Sequence, residues 1–183
     1  NIDTQILTPE ADAAGQMDVL LVAAKKDMIN DYTSVCAEAG LTATVVDVDA
    51  FAVQNAYESN YDLDGQTVVL INVGAAVSNI NILAGGATTF TRDITMGGNA
   101  FTEAVQKELN LPYDTAEELK KGYDVEGATY DDARAVLKAM TDNVLLEVEK
   151  TFDFFKATAA NDRIDRIMLC GGASRIEGFA DAL

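Results

Sequence analysis

The segment VLINVGAAVS, residues 69–78, joins two apolar runs through a tight turn. The run before the turn covers residues 67–73, and the run after it covers residues 78–84. The Gly85-Gly86 pair then leads into a third run at residues 87–94. Loops this short bring successive strands side by side as antiparallel neighbours. The sequence therefore predicts a meander of three antiparallel strands at the centre of the chain.

Helices and strands alternate before this meander. Apolar runs, helical periodicity and stop signals predict a strand at 18–24 and a helix at 25–39 that ends at Gly40. A β-branched strand at 42–48 and a helix that is capped by Asp49 and runs to residue 57 are predicted next. The polar residues 58–66 read as a connector.

The alternation continues after the meander. Asn99 is the predicted cap of a helix opened by Gly97 and Gly98, and Thr115 with Glu118 has the spacing of a capping box. The remaining predicted elements are a short helix at 116–121 ended by Gly122, a long amphipathic helix at 131–160, a strand at 164–170 and a helix starting at 177. This order predicts an α/β fold with a mixed sheet and flanking helices.

Composition excludes several classes of function. With 13 Lys+Arg against 30 Asp+Glu, the net charge of -17 argues against a nucleic-acid partner. The absence of histidine excludes Ser-His-Asp hydrolysis, Cys-His proteolysis and His-ligated zinc. The distant Cys36 and Cys170 fit packing roles in a reducing compartment. No apolar run reaches the roughly 18 residues of a membrane span.

Three turns of small residues follow predicted strands, at residues 74–76, 97–98 and 171–172. Small residues let backbone N–H groups approach an anion closely, and ligands of open α/β sheets bind beyond the carboxyl ends of strands. A turn of small residues at the carboxyl end of a strand is therefore suited to bind a phosphate group. A plain tight connection is the alternative reading for each turn taken alone. Arg92 and Asp93 are predicted to form a charge pair at a strand end.

Four segments together resemble the second half of the actin-like ATPase superfamily: residues 69–78, 90–99, 116–120 and 169–178. Within it the chain most resembles the PilM family of type IV pilus assembly. FTRDI followed by GGN, and VLLVAAKK followed by AGL and VDVDAFA, favour that family over the related cell-division protein FtsA.

The resemblance implies which residues hold a nucleotide. The implied phosphate-binding residues are Asn72, Gly74, Ala75, Ala76, Ser78, Gly97 and Gly98. The implied adenosine-binding residues are Glu117, Lys120, Gly171, Gly172, Ala173 and Arg175. The three-residue spacing of Glu117 and Lys120 puts both side chains on one helical face, and a solvated ion pair is the plain alternative. No catalytic residue and no metal ligand is assigned.

Asn72 departs from the superfamily pattern, because relatives usually open this loop with an Asp. Val77 also occupies a position that carries a hydroxyl group in relatives. An amide is neither an anionic metal ligand nor a base near neutral pH, so we predict weak or absent hydrolysis. No segment matches the superfamily's first phosphate loop.

The resemblance also implies the domain organisation. Residues 1–57 would be the C-terminal part of the first half, with part of a small FtsA-like subdomain. Residues 58–183 would be the nucleotide-binding second half, with a helical insertion around 112–155. Because the chain lacks an initiator Met and ends inside a predicted helix, we expect it to be a piece of a longer protein.

The implied function is that of a cytoplasmic adaptor that binds ATP or ADP with Mg²⁺. Its implied partners are the cytoplasmic N-terminal segment of the inner-membrane protein PilN, the inner-membrane pilus alignment complex and the motor proteins. Through its partner the adaptor would lie at the inner face of the bacterial inner membrane. No nucleic acid and no direct membrane insertion are expected. Two alternatives remain open: an active ATPase or small-molecule kinase of the superfamily, and a filament-forming protein of the FtsA type.

Overall fold

The structure, a computed structural model, describes residues 2–6, 15–17, 19–62, 64–159 and 163–183. The chain divides into two compact units, Asn1–Asp47 and Val48–Leu183. The assignment of residues 1–57 and 58–183 to the two halves of an actin-like fold stays a prediction. Among the described residues, no helix combines the length and the apolar character needed to cross a bilayer.

The described residues of the first unit form a two-stranded sheet and one helix. β1 (Ile2–Ile6) pairs antiparallel with β2 (Val19–Ala23), and α1 (Lys26–Glu38) follows. Gly40 adopts φ +75 just after α1, the left-handed conformation that its stop signal predicted. β2 and α1 are therefore confirmed, whereas β1 was not predicted from the sequence.

The predicted strand at residues 42–48 is wrong. These residues are neither helix nor strand, and Val45 and Val46 are 78% and 57% exposed. β-Branched side chains favour a pleated surface, but a strand also needs a neighbour that pairs with its backbone groups. In the sheets of the described residues, no strand pairs with this segment.

The second unit is built on a four-stranded mixed sheet in the order β5-β4-β3-β6. The strands β3 (Val68–Val73), β4 (Ser78–Ala84) and β5 (Ala87–Ile94) form the predicted antiparallel meander. β6 (Arg166–Cys170) runs parallel to β3. The carboxyl ends of β3 and β6 consequently lie at the same edge of the sheet.

Helices cover both faces of this sheet. α2 (Asp49–Glu58) packs on one face, where Tyr57 joins Val68 and Leu70 of β3. Val69 and Ile71 point to the other face, which carries the larger core. The elements on that side are α3 (Gly98–Leu109), α4 (Tyr113–Lys120), α5 (Tyr130–Thr158), a 3-10 turn at Gly172–Arg175 and α6 (Phe179–Ala182).

Three predicted helix caps are wrong. α2, α3 and α4 are preceded by Val48, Gly97 and Pro112, and none has a side-chain cap. Pro112 directly precedes α4, where its missing N–H breaks no helical hydrogen bond, and the start of α4 at Tyr113 places Thr115 inside the helix. The capping box of the described helices lies instead at the start of α5, between Thr129 and Asp132.

Candidate functional site

The loop between β3 and β4 is bonded to the start of α3 through backbone atoms. The Gly98 N–H donates to the Gly74 carbonyl oxygen at 2.9 Å, and the Asn99 N–H donates to the Ala75 carbonyl oxygen at 2.8 Å. A Cβ atom at Gly97 would lie 2.6 Å from the Gly74 oxygen and 2.7 Å from the Ala75 oxygen. Glycine is therefore required at Gly97 for this close approach.

Lys120, at the end of α4, reaches the same place. Its Nζ donates to the Gly98 carbonyl oxygen at 3.2 Å and to Thr102 Oγ1 at 3.0 Å, and it pairs with Glu117 at 2.5 Å. A Cβ atom at Gly98 would lie 3.3 Å from both Lys120 Nζ and the Cβ of Ala173. The start of α3, the end of α4 and the turn after β6 therefore meet at Gly98.

The Glu117–Lys120 pair is not a solvated surface pair. The Lys120 side chain is 11% exposed and that of Glu117 is 26% exposed. Partial burial raises the pKa of Glu117, but hydrogen bonds from Lys120 and Thr102 and the nearby charges of Lys120 and Lys121 outweigh it, so the net pKa is lowered. Glu117 is thus held as an anion that fixes the Lys120 ammonium beside Gly98.

The turn after β6 is packed against the end of β3. Gly171 adopts φ +91, and a Cβ atom there would overlap the Val73 carbonyl oxygen and lie 2.6 Å from Asn72 Oδ1. Gly172 is exposed and has no atom within 4 Å of a built Cβ. Arg175 is exposed at the end of the 3-10 turn and has no ion-pair partner among the described residues.

Ser78 has a supporting position beneath the loop. Its side chain is fully buried, and its hydroxyl group donates to the Met96 carbonyl oxygen at 2.7 Å. The hydroxyl group therefore joins the start of β4 to the segment that precedes α3. Above it, Ala75 and Ala76 are exposed, and their N–H groups form no hydrogen bond with a described residue.

Asn72 belongs to a row of polar side chains that crosses the meander. Its Nδ2 donates to Asn79 Oδ1 at 3.3 Å, and Asn79 Nδ2 donates to Asp93 Oδ1 at 2.7 Å. The predicted Arg92–Asp93 pair is wrong, because side chains at successive strand positions point to opposite faces. Arg92 instead contacts Glu147 of α5 at 3.0 Å.

Sequence reasoning missed Thr102, Asn79 and Asp93. Thr102 is four residues beyond Gly98 and fully buried in α3, where helical spacing alone indicates a neighbour of Gly98. Asn79 and Asp93 could be found from the register, since Asn72 faces Asn79 and Asn79 faces Asp93 across the antiparallel strands.

The gathered groups are suited to a phosphate ester. They offer exposed backbone donors at Ala75 and Ala76, the Glu117–Lys120 pair beside Gly98, open space at Gly172 and the exposed Arg175 cation. Among the described residues no group of three acidic or cysteine side chains could hold a metal ion. A Mg²⁺ ion here would depend on phosphate oxygens and water for its ligands.

The chain is similar to known proteins of type IV pilus assembly. The family profile described as type IV pilus assembly protein PilM matches residues 1–183. A solved structure titled PilM-PilN type IV pilus biogenesis complex is similar over 100% of this chain and 52% of that chain, with 26% identity and a TM-score of 0.77.

Two further solved structures share the fold. Ethanolamine utilization protein EutJ from Carboxydothermus hydrogenoformans has 18% identity and a TM-score of 0.60, covering 81% of this chain and 49% of that chain. MreB 5 of Spiroplasma citri bound to AMPPNP has 16% identity and a TM-score of 0.62, and the similarity covers 87% of this chain and 57% of that chain. The chain thus spans about half the length of these structures. The predicted actin-like α/β fold is confirmed.

Proposed function

The chain belongs to the PilM family of type IV pilus assembly proteins, and from this premise we propose that it is a cytoplasmic, actin-like adaptor that binds ATP or ADP. The observation that carries the proposal is the meeting of three small-residue turns and the Glu117–Lys120 pair at the carboxyl ends of β3 and β6. That edge is where open α/β sheets bind ligands.

Each group has a defined part in the proposed site. The Ala75 and Ala76 N–H groups would hold phosphate oxygens, and the Glu117–Lys120 pair would contact the adenosine. Gly172 leaves space for the adenosine, and the planar Arg175 guanidinium is suited to stack on a base. Bound Mg²⁺ would neutralise phosphate charge. Because Lys120 is already fixed by Glu117, little side-chain entropy is lost when the nucleotide binds.

Lys120 and Lys121 provide a matched test of nucleotide binding. Lys121 is the next residue, is 48% exposed and pairs with Glu118 at 3.0 Å. We expect Lys120→Met to weaken ATP affinity by about tenfold or more, equivalent to about 1.4 kcal/mol, and Lys121→Met to leave it within about twofold. Calorimetric titration of the intact protein measures both.

Arg175 supplies a second variant that does not depend on the buried pair. Because Arg175 is exposed, Arg175→Ala should keep the thermal unfolding midpoint and still weaken ATP binding by several-fold. Equal affinities in the wild type, Lys120→Met and Arg175→Ala would contradict the proposed site. An intact wild-type protein that binds no ATP would contradict the proposed function.

Asn72 determines the proposed absence of turnover. Its amide cannot take up a proton from water near neutral pH, so we expect phosphate release with Mg²⁺ at the level of a protein-free control. Asn72→Asp introduces a carboxylate at the same strand end, and release is expected to rise above that level. Substantial release by the wild type would favour an enzyme over an adaptor.

The proposed partner is the cytoplasmic N-terminal segment of PilN. The solved relative is a PilM–PilN complex, and the whole chain matches one of its chains. Nucleotide would influence this partner only through different affinities for two conformations of the protein. The test is the affinity of the intact protein for a synthetic PilN peptide with and without ATP, using a scrambled peptide as control. Identical affinities would exclude coupling, and equal binding of the scrambled peptide would exclude the partner.

A further inference from the structure

The polar row across β3, β4 and β5 has a fixed direction of hydrogen bonding. A carboxylate is only an acceptor, so Asp93 requires the Nδ2 donor of Asn79, which lies 2.7 Å away. Asn79 must then turn its Oδ1 toward Asn72, whose Nδ2 donates to it at 3.3 Å. One carboxylate on β5 therefore sets the orientation of two amides, the second of them two strands away.

As a result, the Asn72 amide turns a hydrogen-bond acceptor toward the turn after β6. With Nδ2 turned to Asn79, Asn72 Oδ1 faces the turn after β6, 2.6 Å from where a Gly171 Cβ would be. Phosphate oxygens are acceptors and gain nothing from a carbonyl oxygen, whereas water bound to a hard cation donates hydrogen bonds to one. The reversed amide would present a donor and favour bare phosphate.

We propose that Asp93 is a positioning residue which, through Asn79, orients the Asn72 amide with its oxygen toward the turn after β6 and so makes the site prefer Mg²⁺-nucleotide over metal-free nucleotide. This inference rests on the proposed nucleotide site. The orientation of the Asn72 amide is set by hydrogen bonds within this chain, so it can be tested with no ligand present.

The first experiment records side-chain amide NMR signals of the intact, nucleotide-free protein. Asp93→Ala should shift the Asn72 amide signals as well as those of Asn79, because Asn79 is then free to rotate. Thr91→Ala changes an exposed residue on the same face of β5 and should leave the Asn72 signals in place. Unchanged Asn72 signals in Asp93→Ala would overturn the proposal that Asp93 orients Asn72 through Asn79, whether or not the protein binds nucleotide.

The second experiment measures the ratio of ATP affinities with Mg²⁺ and with EDTA. We expect the wild type to bind more tightly with Mg²⁺, and both Asp93→Ala and Asn79→Ala to reduce that ratio by about tenfold, a loss in the range of a hydrogen bond to a charged group. Asn79→Ala keeps the Asp93 charge, so an effect confined to Asp93→Ala would show simple electrostatics and overturn the proposal.

The double variant Asn79→Asp with Asp93→Asn provides the rescue. Its carboxylate at position 79 accepts from both neighbouring amides, so Asn72 keeps its orientation and the net charge is unchanged. The affinity ratio should return to within about twofold of the wild type. A double variant with an affinity ratio as low as that of Asn79→Ala would contradict the proposed orientation of Asn72 by Asp93. Thermal unfolding of each variant separates these effects from loss of fold.

Discussion

Gly171 and Gly172 are neighbours in the chain with different surroundings. Gly171 has φ +91, and an added Cβ would overlap the Val73 carbonyl oxygen, whereas nothing lies within 4 Å of a Cβ at Gly172. The left-handed conformation costs a side chain about 1–2 kcal/mol, and forced packing against backbone adds about 1–3 kcal/mol. We expect Gly171→Ala to lower the free energy of unfolding by about 2–5 kcal/mol and Gly172→Ala by no more than about 0.5 kcal/mol. Urea unfolding measures both, and equal losses would contradict the assigned roles.

Glu117 makes a prediction about pH. Because its folded pKa is lowered, its contribution to stability is present above the ordinary value of 4.5 and is lost as the pH falls through the folded pKa. NMR titration of the Glu117 carboxyl group should give a midpoint below 4.5. Lys120→Met should raise that midpoint, because burial still opposes the charge while the strongest stabilising contact is gone. Lys150→Met, which removes one of the two ion-pair partners of Glu147, should leave the Glu117 midpoint unchanged.

At the scale of elements, the two faces of α5 differ sharply in what they contribute. Phe155 is 3% exposed in the core, whereas Phe154 is 55% exposed and contacts the Phe90 ring at a centroid distance of 5.4 Å. Phe155→Ala should cost about 3–5 kcal/mol of unfolding free energy, and Phe154→Ala about 1 kcal/mol, the typical value of an aromatic pair. Similar losses in chemical denaturation would show that the helix buries a different stripe.

Elements with internal signals could be predicted from sequence. The long helix follows from apolar residues three and four apart, and the meander from its short turns. Residues 42–48 could not, because whether a β-branched segment forms a strand depends on a neighbour distant in sequence. The same holds for the site. The glycine turns can be recognised in the sequence, but the contact of Lys120 with Gly98 can be known only from the folded structure.

At the scale of the whole molecule, burial is uneven between the two units. β3 and β4 are almost fully buried, whereas α1 has no buried residue and β1 pairs with β2 in a sheet of two strands. An isolated pair of strands is marginally stable in water, and a short helix without a packed face is too. Local opening therefore needs much less free energy in the first unit than in the second.

Hydrogen exchange of the 183-residue chain tests this difference. Amides of β3 and β4 should exchange only by global unfolding, while residues 42–46 should exchange within about tenfold of an unstructured peptide. Amides of α1 should fall between these limits, because its backbone hydrogen bonds exist but no buried side chain holds them closed. Low denaturant should accelerate exchange in β3 and β4 strongly and in residues 42–46 hardly at all, since opening of residues 42–46 exposes little new surface. Protection of residues 42–46 equal to that of β3 would mean that this segment is paired in solution, as the strand predicted at residues 42–48 requires.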